Sequence, residues 1–117
     1  MLSRAFADAF AADWIAAWNS HDLARILAHY SDDFSMSSPY IAQIAGEPSG
    51  VLQGKAAVAA YWATALARMP ALHFTWEATL VGARSIAIRY QGARGPAIEV
   101  FVFNEAGLVV EAHAHYL

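Results

Sequence analysis

Phe6, Phe10, Trp14 and Trp18 recur every four positions, Ala7, Ala11 and Ala17 widen the stripe, and Asp8 and Asp13 lie off it. That period predicts an amphipathic helix over residues 3–18. Asn19-Ser20-His21-Asp22 breaks it, with Ser20 placed to cap the next helix. Leu23, Ile26, Leu27 and Tyr30 predict a short second helix over 21–30, and Ser31-Asp32-Asp33 a turn, Asp33 being a turn or capping residue. Phe34 to Ser38 alternates as a short strand that Pro39 ends. Residues 39–53, with Pro39, Gly46, Pro48 and Gly50, predict a long loop whose Tyr40, Ile41, Ile44, Val51 and Leu52 pack onto something; a lid is a fitting use for it. A third helix is predicted over about 55–69, with Val58, Tyr61, Trp62, Ala65, Leu66 and Met69 on one face and Pro70 as its stop. Four strands come after it, 72–81, 85–90, 97–103 and 108–116, separated by short turns, which predicts an antiparallel meander.

Helices followed by a meander is the α+β pattern, here as a single domain over 1–117 with three N-terminal helices and a curved antiparallel sheet. In the strand at 97–103, Ala97, Glu99, Phe101 and Phe103 share one face, and Ile98, Val100 and Val102 share the other. Both faces are apolar and three helices cover only one. The other is expected to meet a second copy, giving a homodimer through the sheet.

Composition adds a cavity to this picture. The chain is 58% hydrophobic with mean hydropathy +0.33, more apolar than the core of a 117-residue domain requires. The surplus is expected to line a pocket, form a subunit interface, or both. Seven scattered Lys and Arg and a net charge of −3 exclude the basic stripe of a nucleic-acid binder. No cysteine is present, which removes disulfides, thiolate metal sites and a cysteine nucleophile, and fits a reducing compartment. Asp8 and Asp13 interrupt the apolar N-terminal stretch, so it does not read as a signal peptide. No run approaches the roughly 18 apolar residues of a membrane span. A cytoplasmic protein with no membrane partner is expected.

Glu99 leads the candidate chemistry. It lies mid-strand among Ile98, Val100, Phe101 and Phe103. A carboxylate there is costly to bury, and burial raises its pKa, which suits a general acid or a neutral hydrogen-bond donor. The alternative is a Glu satisfied by Arg89, Arg94 or backbone. His113 and His115 alternate with Ala112, Ala114 and Tyr116, which puts both histidines and Glu111 on one face, read as the outer or dimer face, and Ala112, Ala114 and Tyr116 on the other. A bulge in that strand would instead turn His113 into the pocket as a base. The His-x-His pair lacks a third ligand at convincing spacing, so no metal site is assigned. Tyr90 and Phe101 are candidate wall residues; Trp14 and Tyr61 read as core by spacing. Trp18 reads as core. Ser38 is placed to touch a ligand, or is bonded locally.

Several of these stretches resemble a known superfamily. Trp14-Ile15-Ala16-Ala17-Trp18-Asn19-Ser20-His21-Asp22-Leu23, Tyr30-Ser31-Asp32-Asp33, Gly54-Lys55-Ala56-Ala57 leading into Tyr61-Trp62, and Phe101-Val102-Phe103-Asn104-Glu105-Ala106-Gly107 occur in the order seen in nuclear transport factor 2-like proteins. That superfamily includes ketosteroid isomerases and SnoaL-like polyketide cyclases. The resemblance implies a cone-like, cystatin-like fold with a pocket at its open end, and dimers through the outer sheet face. It implies that Ala114 and Tyr116 point inward and that Trp14 and Tyr61 line the cavity, the last two with a polar tip that a ligand oxygen would accept from. It places the isomerase's oxyanion-donating tyrosine on Trp14, its carboxylate base on Ser38 and its second, protonated acid on Glu99. Serine cannot shuttle a proton between carbons, so ketosteroid isomerase activity is not expected. The SnoaL-like cyclases use carboxylate and histidine groups, for which Glu99 with His113 or His115 would serve. Two functions stand at this point. One is an isomerase, cyclase or dehydratase acting on a small apolar carbonyl compound with no cofactor or metal. The other is a non-catalytic module that binds an apolar molecule or dimerises.

Overall fold

The computed structural model describes residues 1–117. Helix α1 (Arg4–Ser20) begins where the Ser3 side chain accepts from the Phe6 N–H, and ends at His21 in the left-handed conformation, φ 60°. Helix α2 is shorter than its pattern, Leu23–Leu27, and its cap is Asp22 rather than Ser20. Tyr30, assigned to this helix by periodicity, instead opens strand β1 (Tyr30–Ser37). The polar run Ser31-Asp32-Asp33 is therefore not a turn. It lies within β1, where pairing to the neighbouring strand is interrupted, and Ser31 donates to Asp33 there at 3.1 Å.

Residues 39–53 are not a loop. Ser38 caps a further helix, α3 (Pro39–Ala45), with Pro39 in its first turn, and Gly46 ends it at φ 73°. A short strand β2 (Val51–Gln53) then pairs antiparallel with β1. Gly50 is required between them. Its φ is +73°, and a Cβ there would lie 3.2 Å from the Ser38 carbonyl oxygen. Helix α4 (Lys55–Arg68) matches its predicted span closely.

The last four strands, β3 (Thr75–Val81), β4 (Ser85–Gly92), β5 (Gly95–Phe103) and β6 (Val109–Tyr116), form the predicted antiparallel meander. β3 starts three residues later than its pattern, because Asn19 binds both backbone groups of Phe74 (2.9 and 2.7 Å). His21 Nε2 also donates to the Leu72 carbonyl at 2.7 Å. The polar break after α1 thus pins the segment entering the sheet. The six strands lie in the order β2-β1-β6-β5-β4-β3, and β1 runs parallel to β6, the one departure from an antiparallel sheet.

The core lies between the concave sheet face and the helices. Phe10 packs edge-on against Phe101 and Phe103, and Trp14 edge-on against Tyr90 and Phe101 and stacked on Phe74. The convex face bears no helix; Ile98 on it is 41% exposed. No helix is long and apolar enough to cross a membrane.

Candidate functional site

A hollow of about 80 Å³ opens between α1, α3, α4 and the concave sheet face, and fourteen of its seventeen lining residues are hydrophobic. A single water needs only on the order of 10–15 Å³, whereas a cavity that takes up benzene has about 150 Å³, so the hollow holds a few heavy atoms and anything larger projects from its mouth. α1 contributes Trp14 and Trp18, α4 Tyr61, Trp62 and Ala65, and the segment pinned by Asn19 and His21 contributes Leu72 and Phe74. α3 supplies Tyr40 and Ile44, so the stretch read as a loop forms part of the wall. At the mouth, the Arg94 guanidinium lies 4.0 Å over the Tyr40 ring, which abuts Tyr116.

Glu99 is 4% exposed, on the inner face between Ile88 of β4 and Ala114 of β6. The Tyr90 hydroxyl donates to Oε1 at 3.4 Å, beyond the roughly 2.5–3.0 Å of a strong O–H···O bond. Oε2 is buried with no partner. Burial pushes this carboxyl up to about 8, against a weaker opposing pull from Tyr90. It is therefore mostly protonated at neutral pH. Burial, and then the negative charge of Glu99 when ionised, drive Tyr30 and Tyr90 well above the ordinary phenol value. Tyr61 and Tyr116 shift the same way, chiefly through burial. These four phenols stay neutral, and so can donate.

Of the residues singled out by sequence, Glu99, Trp14, Tyr61, Tyr90 and Tyr116 line the hollow. Trp14 is not free to serve a ligand oxygen, because Nε1 already donates to the Tyr30 hydroxyl at 3.0 Å. Phe101 is fully buried behind Trp14 and Phe10 and does not reach the hollow. Ser38 is buried behind the lining, where it caps α3. His113 lies on the convex face, sharing a 2.6 Å hydrogen bond with Ser37. β6 does carry a bulge, but upstream: Val102 pairs with Glu111 and Phe103 with Val109. The extra residue, Val110, turns Val109 inward and leaves Ala112 and Ala114 as the inner positions, so His113 and His115 remain outside.

Sequence reasoning missed Tyr30, Tyr40, Arg94 and the role of Trp18. Trp18 lines the hollow, and its Nε1, like Glu99 Oε2, is buried without a partner. The pattern did mark Trp18 as buried, but whether its N–H is satisfied depends on residues distant in sequence.

The SnoaL-like domain family matches residues 11–112. A crystal structure of a SnoaL-like protein of unknown function from Burkholderia thailandensis is 58% identical, with TM-score 0.95, covering 98% of this chain and 97% of that one. A cystatin-like-fold protein of unknown function from Methylobium petroleophilum is 25% identical, with TM-score 0.75, covering 98% and 78%. SalBIII, an epoxide hydrolase/cyclase-like enzyme of pyran ring formation in the polyether salinomycin, shares the fold at 14% identity and TM-score 0.76, covering 100% and 95%. No protein of curated function matches the sequence.

Proposed function

Because the chain belongs to the SnoaL-like domain family, we propose that its hollow takes a small, largely apolar carbonyl compound and that Glu99 moves a proton on it. One observation carries this reading: a carboxyl is buried in an aromatic hollow with one oxygen unpartnered. Leaving such an atom empty-handed costs on the order of 1–3 kcal/mol, which a ligand would recover.

The chemistry is cofactor-independent enolisation, the step common to isomerases, cyclases and dehydratases acting beside a carbonyl. The Glu99 carboxylate takes a proton from the carbon next to the carbonyl. The C–H pair becomes the new C=C bond, and the carbonyl π pair moves to oxygen, where a neutral phenol such as Tyr61 donates to it. The carboxylic acid then returns the proton to carbon, at the same or a conjugated position, and the base is regenerated. With a carboxyl titrating at about 8, the base form grows as pH rises through that value.

The test is hydrogen–deuterium exchange at the α-carbon of a small enolisable ketone such as cyclohexanone, tracked by NMR. Exchange is expected to rise with pH, level off above about 8, and fall by at least about a hundredfold in Glu99→Gln. Binding that survives with no exchange in the native protein means the hollow holds ligands without catalysis, and the proton-transfer reading fails.

The convex face is proposed to join two copies into a homodimer. Ile98 is exposed there, beside half-buried Val100, Val102 and Val110.

A further inference from the structure

Two side-chain polar atoms are buried with no hydrogen-bond partner, Glu99 Oε2 and Trp18 Nε1, and both side chains line the same hollow. Buried polar groups in folded proteins are nearly always paired, and an indole N–H is a donor only. Trp14, one helical turn away, shows the ordinary solution: its Nε1 donates to Tyr30. Trp18 has no such neighbour. Its surroundings are Phe74 at 5.5 Å and Trp62 at 5.2 Å, the latter nearly perpendicular at 80°. A contact with the face of Trp62 is at best a weak substitute, and because the atom is closed to solvent, an acceptor reaches it only when a bound molecule displaces a neighbouring ring.

We propose that Trp18 is a second ligand-binding point, its N–H donating to an oxygen of the bound molecule other than the oxygen or carbon served by Glu99. The pair sets the ligand class. It is a compact apolar skeleton carrying two separated oxygen functions: a carbonyl at the carboxyl end, and an acceptor (ketone, ether or ester oxygen) at the indole end. A pure hydrocarbon leaves both atoms stranded, and a monoketone leaves one. A site built around unpaired groups discriminates strongly against molecules that fail to pair them. This inference rests on the hollow being a ligand site, as proposed above, but not on Glu99 being catalytic.

Three single-ring probes of nearly equal volume, chosen small to suit a hollow of about 80 Å³, separate the possibilities: cyclohexane, cyclohexanone and cyclohexane-1,4-dione. Binding is read by calorimetry. In the native protein the dione is expected to bind about tenfold tighter than the monoketone, as one hydrogen bond provides. Trp18→Phe keeps an aromatic ring and removes the donor, and is expected to bring that ratio below about twofold. Glu99→Gln is expected to abolish α-carbon exchange while leaving the ratio in place. Since Trp18→Phe also shrinks a core side chain, the native protein supplies an independent readout. The Trp18 indole N–H resonance is expected to move downfield with the dione and to stay put with cyclohexane. A dione advantage that persists in Trp18→Phe, or an indole resonance unmoved in the dione complex, overturns the proposal and leaves the Glu99 reading intact. Failure of all three probes to bind overturns both.

Discussion

Glu99 ties stability to pH in a way one substitution can reveal. The folded chain holds this proton up to about pH 8, whereas an unfolded chain releases it near the ordinary value of 4.5. Between those values the folded state binds more protons than the unfolded one. The contribution is therefore present in full below about 4.5 and is lost as pH rises through about 8. The loss is on the order of a few kcal/mol. Glu99→Gln is expected to flatten that slope, so that the difference in stability between the two proteins moves toward the variant from pH 5 to pH 9. Urea unfolding at a series of pH values checks this, and parallel curves would mean that the carboxyl is hydrated in the folded chain. Glu99 was legible in sequence because an ionisable residue in an apolar strand is an anomaly along the chain itself. Trp18 was not, because its anomaly is a missing partner in space. Tyr30 was missed because its spacing from Ile26 fits a helical face as well as it fits the first position of a strand.

At the scale of elements, Ser38 is the clearest case of a residue whose role lies in local structure. Its hydroxyl accepts from the Tyr40 N–H and caps α3, which carries Tyr40 and Ile44 into the wall. Ser38→Ala is expected to cost about 1 kcal/mol in thermal or urea unfolding. It should also weaken binding of any ligand that touches Tyr40, as calorimetry would show. The Ser-Pro pair and the later Gly46 carried the signal for this helix: a capping residue, a proline in the first turn and a glycine at the end. Its apolar residues were too few to set a period, so punctuation alone suggested a loop. The long helices and the meander were readable because their periods run for many residues. The facing of His113 was fixed by a single inserted residue, Val110, whose position depends on pairing with β5. Alternation in the sequence separates His113 and His115 from Ala112 and Ala114 but cannot say which set faces the hollow, so His113 stood as a candidate base until the strand register placed it outside.

For the whole molecule, the proposed homodimer rests on the exposed apolar residues of the convex sheet face. Sedimentation velocity is expected to show a dimer, and Ile98→Asp, which puts a charge on that face away from the hollow, is expected to yield monomers that keep ligand binding. A native protein that sediments as a monomer at high concentration would overturn the pairing. The strand order has a separate consequence for how the chain is made. β6 holds the β1–β2 hairpin to the β3–β4–β5 meander, with some seventy residues between β1 and its partner. Until residue 116 has left the ribosome, a nascent chain offers two incomplete ribbons with bare edges at β1 and β5. Such edges invite pairing with other chains. Synthesis therefore passes through a window in which chaperone capture competes with aggregation, and it closes only when the strand that seats Ala114 beside Glu99 arrives.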